Sequence, residues 1–194
     1  MGTSLGGVSP PTGGNQALLG LYLIHDRRDH ENNPRHGSYF AVGGQASVPG
    51  ISDHSFQRFS HDLRIYASPF PRHVIATRLY FQLTFGDAPF YYYPDFGGDT
   101  LGRGYLPNRL RDRTGLYAQV EYRFPIAGPL SGVVFADAAR FQNRLSEFSF
   151  TGIHPSIGFG PRYSTGSNET SIIGVDAGFT REGWNLVLHA GHAF

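Results

Sequence analysis

The sequence contains no cysteine and a single methionine. A chain without thiols cannot form wrong disulfides, so this composition is compatible with a protein that crosses an oxidising compartment. No charge sign dominates either, because 16 Lys and Arg residues stand against 15 Asp and Glu residues. Nucleic-acid binding usually depends on a basic surface, and we therefore set this class of function aside.

Long apolar runs are absent as well. No stretch of 18 apolar residues occurs, which excludes a transmembrane helix, and the mean hydropathy of -0.27 resembles that of a soluble protein. A transmembrane β-barrel remains compatible with this value. Its strands alternate lipid-facing and lumen-facing residues, so apolar and polar positions cancel in a window average.

The N-terminus has neither the cationic start nor the apolar core of a secretion signal. We interpret residues 1–16, which are rich in Gly and Pro, as a flexible segment that precedes one domain at 17–194. If the protein is exported, we expect that a signal has been removed or that the chain is a piece of a longer protein. The content of 40% hydrophobic and 14% aromatic residues is sufficient for an ordered domain.

Apolar and polar residues alternate with a period of two through most of the chain, and no helical period competes. With turn residues as boundaries, this pattern predicts an all-β protein, an antiparallel transmembrane β-barrel segment of eight to nine strands. Most of these strands have about the 9–11 residues that cross a bilayer at a tilt. The nine predicted strands lie near 17–27, 37–48, 56–68, 73–86, 115–125, 131–142, 155–164, 170–180 and 184–194.

Loop lengths predict the orientation of the barrel, because bacterial barrels have short periplasmic turns and longer extracellular loops. With a periplasmic C-terminus, the extracellular loops include the longest one, 87–114, whereas the periplasmic turns are short. An odd number of strands starts on the extracellular side, so we interpret the chain as the back part of a larger barrel, completed by further chain, a partner chain or a homo-oligomer. The alternative is that the first strand is not a conventional spanning strand. The extracellular loops lie near 49–55, 87–114, 143–154 and 181–183, and the periplasmic turns near 28–36, 69–72, 126–130 and 165–169.

A soluble β-sandwich or lipocalin-like barrel would also alternate, with its apolar residues inward. Alternation alone does not say which face points outward. The long loop 87–114, the aromatic strand ends and Phe194 favour the membrane barrel. Such a barrel would contact outer-membrane lipids and lipopolysaccharide.

Three segments carry a more specific pattern. The first is Asp-Arg-Arg-Asp at 26–29 followed by Pro-Arg-His-Gly at 34–37. The second is Gly-Gly-Asp-Thr-Leu-Gly-Arg-Gly-Tyr at 97–105, inside the long loop. The third is Glu-Tyr-Arg-Phe-Pro-Ile at 121–126, followed by Phe-Ala-Asp-Ala at 135–138. In order and spacing these segments resemble the bacterial surface antigen superfamily, which includes BamA, TamA and the transporters of two-partner secretion.

The resemblance implies the C-terminal part of an outer-membrane barrel that assists outer-membrane protein insertion or protein translocation, together with the outer-membrane assembly machinery. It also implies localisation in the bacterial outer membrane. No sequence resembling the family's POTRA modules precedes the barrel here. The alternative is therefore a short structural or passive-pore barrel, oligomeric and without transport activity.

The resemblance also implies that the loop tip Arg103-Gly104-Tyr105 folds into the lumen and that Arg103 pairs with Glu121 and Asp137. A guanidinium that enters a narrow lumen needs carboxylates to offset its desolvation, and the neighbouring glycine permits close backbone approach. Both carboxylates lie on the two strands that follow the loop. A solvated loop with Arg103 free in water is the alternative.

The last predicted strand, 184–194, places Trp184 and Phe194 on the same face. We expect these two residues to form a C-terminal assembly signal.

An enzyme is not expected. The nine histidines show neither an HExxH motif nor zinc-ligand spacing, so we expect no metal and no cofactor. A barrel lipase needs a serine and a histidine that face each other. Ser60 and His61 are strand neighbours that point to opposite faces, which leaves Ser68 as the remaining partner for His61. We therefore predict no catalytic residues.

Overall fold

The computed structural model describes residues 14–144, 146, 149, 151–165 and 171–194. Most of the predicted flexible segment, 1–13, and most of the predicted turn at 165–169 lie outside these described residues. Within the part of the chain that is described, no helix combines the length and the apolarity needed to cross a membrane.

The described residues form one nine-stranded antiparallel sheet in the order β1-β2-β3-β4-β7-β8-β9-β10-β11. A separate two-stranded sheet, β5-β6, lies in the connection between β4 and β7. The predicted all-β, antiparallel class is thus confirmed. Over the described ranges the sheet is not closed, because β1 and β11 each pair on one side. The strands are β1 Leu18–Asp26, β2 Gly37–Ser47, β3 Phe56–Ala67, β4 Val74–Gly86, β5 Asp95–Phe96, β6 Leu110–Arg111, β7 Thr114–Ala127, β8 Leu130–Gln142, β9 His154–Thr165, β10 Ser171–Phe179 and β11 Trp184–Ala190.

The two faces of the sheet differ sharply in burial. The inner face carries buried polar side chains such as Glu121, which is 0% exposed, while its strand neighbour Val120 on the outer face is 43% exposed. Leu79 on β4 and Leu188 on β11 are exposed on the same outer face. A soluble barrel would bury these apolar residues and expose the polar ones. The observed arrangement is that of a sheet whose outer face meets lipid.

The end of the chain departs from the predicted last strand. β11 ends at Ala190, not at Phe194, because Gly191 adopts a φ of +101°, a left-handed conformation that favours glycine. The chain then turns to the inner face, where Phe194 packs against Tyr66 with ring centroids 6.4 Å apart. Trp184 stays on the outer face and is 67% exposed. The prediction that Trp184 and Phe194 share one strand face is therefore wrong.

Candidate functional site

The connection between β4 and β7 is a packed structure on the inner side of the sheet. Phe96 of β5 is fully buried, and its ring lies 5.3 Å from that of Tyr105 and 5.8 Å from that of Tyr117 on β7. The Tyr105 hydroxyl donates a hydrogen bond of 3.1 Å to the carbonyl of Pro155 on β9. Aromatic packing and this bond attach the loop to the inner face of the sheet.

Two glycines allow the loop backbone to lie directly on its neighbours. Gly102 has a φ of +76°, and a Cβ at this position would lie 2.5 Å from the Phe96 ring. A Cβ on Gly178 of β10 would lie 2.5 Å from the carbonyl oxygen of Arg103. Both distances are far below van der Waals contact, so any larger residue would push the loop tip away from β10.

The guanidinium of Arg103 is completely buried between carboxylates from three strands. Its Nη1 donates hydrogen bonds to Oε2 of Glu121 at 2.6 Å and to Oδ2 of Asp176 at 3.1 Å. Its Nη2 and Nε donate to the two oxygens of Asp137 at 3.1 and 3.2 Å. The structure thus brings Arg103 against both carboxylates named from the sequence and adds a third on β10.

The surroundings of Arg103 favour its charged form. Burial alone would lower the pKa of Arg103, but the carboxylates of Asp137 and Glu121 raise the pKa above its usual value. The guanidinium carbon also lies 3.5 Å from the centre of the Phe135 ring, so a cation–π contact covers one side. Arg103 is therefore a permanent cation in a closed polar cluster.

Asp176 links Arg103 to a second arginine. Arg162 on β9 donates two hydrogen bonds to the Asp176 carboxylate, at 2.6 and 2.9 Å. Nε2 of His189 lies 2.8 Å from the same carboxylate, without hydrogen-bond geometry. Our sequence interpretation missed this extension. The feature of the sequence that could have indicated it is Asp176, which lies between two glycines on the same face of β10, Gly174 and Gly178.

A third arginine, Arg123 on β7, links the cluster to the end of the chain. Its Nε donates to Oε1 of Glu121 at 2.7 Å, and its Nη groups donate to the main-chain oxygens of Pro34 and Phe194 at 3.2 and 3.0 Å. Nδ1 of His192 lies 3.6 Å from Glu121, beyond hydrogen-bond distance. Burial, and next the charge of Arg123, lower the pKa of His192 to about 4, so this imidazole is neutral at pH 7.

The cluster is electrically balanced. Three arginines (Arg103, Arg123, Arg162) meet three carboxylates (Glu121, Asp137, Asp176), and every one of the six is buried. Such a network holds parts in place, because each of the six charges has a partner of opposite sign within it.

Two residues of the predicted site remain to be placed. Gly104, next to Arg103, packs against β10, whereas Trp184 lies outside the cluster on the lipid-facing side.

Comparisons with known proteins give a family match and a fold match. A model of the Omp85 superfamily domain matches residues 12–169. The structure is similar to that of BamA from Haemophilus ducreyi lacking POTRA domains 1–3, with a TM-score of 0.72 and 16% sequence identity. The similarity covers 89% of this chain and 40% of that chain, so this chain spans less than half the length of that protein. None of the curated proteins matches the sequence.

Proposed function

The chain belongs to the Omp85 superfamily and is a bacterial outer-membrane protein, and from that premise we propose that it assists the insertion of outer-membrane proteins or the translocation of polypeptides. The proposal is for a non-catalytic protein. Of the two serines considered as partners of His61, Ser60 lies on the opposite face of β3, since the cross-strand partners Gln82 and Phe81 do so. The hydroxyl of the other, Ser68, donates a hydrogen bond to the main-chain oxygen of His73.

The observation that carries the proposal is the open edge at β1. Its outer-face residues Leu19, Leu21 and Leu23 are 75%, 75% and 66% exposed. The backbone groups on the side away from β2 have no strand partner among the described residues. In a bilayer each unsatisfied backbone group costs several kcal/mol, so the addition of a further strand at this edge is strongly favoured.

We further propose that a partner chain or a second copy completes the barrel in the resting state. The nine described strands alternate in direction, so β1 and β11 run parallel to each other. A partner with an odd number of strands would keep every junction antiparallel if its first and last strands ran opposite to β1 and β11. A second copy of the nine-stranded unit in the same membrane orientation would instead place its end strands parallel to β1 and β11 at both junctions, and parallel pairing is somewhat less stable per residue. An incoming client strand would replace the partner at β1.

In this proposal the Arg103 cluster is the fixed part of the molecule. It ties the β4–β7 connection to β7, β8 and β10, and so holds the middle of the sheet while the edges exchange partners. We propose the membrane orientation that loop lengths predict. The β4–β7 connection is then on the extracellular side, and residues 191–194 are at the periplasmic end.

The first experiment measures client assembly. The chain is reconstituted in liposomes, a urea-denatured outer-membrane barrel protein is added, and folded client is followed by its shifted gel mobility. We expect faster folding than in empty liposomes. Because the sequence has no cysteine, a single Leu21→Cys variant can be cross-linked to a client that carries one cysteine in an edge strand.

The matched control is Leu79→Cys, since Leu79 is also an exposed leucine of the outer face but lies in the middle of the sheet. We expect cross-links at position 21 and none at position 79. Cross-links between copies of this chain alone, with no acceleration of client folding, would contradict the proposal and support a passive oligomeric barrel.

A further inference from the structure

A row of arginines lines the inner face of β1–β4, apart from the Arg103 cluster. The row consists of Arg28, just after β1, Arg64 on β3 and Arg78 on β4. Their side chains are only 9%, 21% and 10% exposed. Arg64 and Arg78 are direct cross-strand partners. Like charges in this position repel each other, so the pair needs negative charge nearby.

The protein supplies one carboxylate for these two arginines. Asp62 accepts hydrogen bonds from Nη2 of Arg64 at 2.7 Å and from Nη2 of Arg78 at 2.9 Å. Throughout the described residues, Asp62 is the sole carboxylate that forms an ion pair with either of them. Two cations thus share one anion, and one positive charge is left over in a largely buried place. Arg28 has its own partner, Asp26, at 2.7 Å.

Aromatic rings hold the arginine row in position. The Tyr39 ring lies between two members of the row, with the guanidinium carbon of Arg28 at 5.0 Å and that of Arg64 at 4.9 Å from its centre. The Tyr80 ring lies 5.2 Å from the guanidinium carbon of Arg78. These contacts restrict the side chains before any ligand arrives, which lowers the entropic cost of binding.

The arginine row forms one wall of a cavity of about 630 Å³. This volume is within the usual range for ligand sites. The rest of the lining mixes polar residues such as Ser171 with apolar ones, among them Ile172 of β10 and Phe194. Glu31 also lines the cavity but is exposed and forms no ion pair with Arg64 or Arg78. The arginine row and Ile172 are on the inner face, so the basic part of the cavity is directed away from lipid.

We propose that this cavity binds an extended polypeptide segment in which acidic and apolar side chains alternate. The side chains of an extended strand point alternately to opposite sides, so acidic ones would meet the arginine row while apolar ones meet the apolar part of the lining at Ile172 and Phe194. A small oxyanion would use the basic wall alone. This inference rests on the proposed function, because it names the class of polypeptide that the protein handles.

The test is equilibrium binding of a labelled octapeptide of alternating glutamate and valine, followed by fluorescence anisotropy with the protein in detergent. The matched peptide has glutamine in place of glutamate and reports partition into the micelle. We expect the glutamate peptide to bind about tenfold more tightly or better, and the difference to shrink at high salt. Inorganic phosphate at the same concentration as the peptide should not displace the glutamate peptide.

Two variants are expected to act in opposite directions on binding of the glutamate peptide. Arg78→Gln removes one of the cationic groups that would bind glutamate, and it also removes the excess positive charge beside Arg64. The glutamate peptide should therefore bind about tenfold more weakly. Glu31→Gln removes a competing negative charge and should strengthen binding about twofold to threefold. Arg181→Gln, at an exposed residue on the opposite end of the sheet, should change nothing.

Equal affinity for the two peptides, or an unchanged affinity in Arg78→Gln, would overturn the inference. Displacement by equimolar phosphate would overturn the assignment to a polypeptide. The two proposals fail separately. Accelerated client folding without a preference for the glutamate peptide rejects this inference alone, whereas the expected peptide binding without accelerated folding supports it and rejects the proposed function.

Discussion

Arg103→Ala is expected to lower the free energy of unfolding by about 3–5 kcal/mol, the usual effect of breaking a buried ion pair. The substitution leaves Glu121, Asp137 and Asp176 buried with one fewer cation among them. Three carboxylates that depend on two remaining arginines cannot all stay ionised at low cost. Guanidinium-induced unfolding in liposomes, followed by tryptophan fluorescence, measures the change.

Lysine at position 103 should restore only part of this loss. A guanidinium fork serves several carboxylate oxygens at once, whereas an ammonium is a point charge. The matched control is Arg109→Ala, in the same loop, whose ion pair with Glu182 at 2.7 Å is about half exposed. Removing it should cost about 0–1 kcal/mol. Equal effects at positions 103 and 109, or full rescue by lysine, would show that the loop tip is solvated.

Val120→Arg is expected to destabilise the folded protein in lipid by about 2–4 kcal/mol, as for an arginine placed on the lipid face near the bilayer midplane. Val120 is 43% exposed on the outer face and lies at the centre of β7. The measurement is again the free energy of unfolding in liposomes. The same change in a residue that faces the interior should cost much less.

Ser60→Arg is the matched control for the lipid-facing variant. Ser60 lies near the centre of β3 on the inner face, paired across the strands with Gly43 and Gln82. A new arginine there has neutral cross-strand partners and leaves lipid untouched. Gln119, next to Val120, is unsuitable because it is buried and donates a hydrogen bond to the carbonyl of Thr100. Similar losses for Val120→Arg and Ser60→Arg would contradict the assignment of the two faces.

The sequence was most informative about which residues share a face. Alternation in the segment 116–124 separates Val120 from Glu121 correctly, because the period of two is a direct consequence of strand geometry. The pairing of Arg103 with Glu121 and Asp137 came from the resemblance and from the need of a buried guanidinium for carboxylates. Alternation alone carries no information about a contact between a loop and a strand.

The features that sequence reasoning missed depend on single backbone positions or on distant contacts. The left-handed Gly191 turns the chain inward although the pattern of apolar residues continues through Phe194. Asp176 joins the cluster because Gly178 lets the loop tip approach β10. Arg103 and Asp176 are 73 residues apart along the chain, so no local pattern indicates their contact. The β5–β6 pair in the loop is too short to leave a periodic signal.

The central claim is that the Arg103 loop tip is locked inside the sheet by buried carboxylates, and a double-mutant cycle between Arg103 and Asp137 tests it most directly. The free energy of unfolding in liposomes is measured for Arg103→Ala, Asp137→Ala and the double variant. The distances of 3.1 and 3.2 Å between these side chains lead us to expect a double variant less destabilised than the sum of the singles by about 1–3 kcal/mol. The cycle between Arg109 and Glu182 should give less than about 1 kcal/mol. Additive effects at Arg103 and Asp137 would contradict the claim.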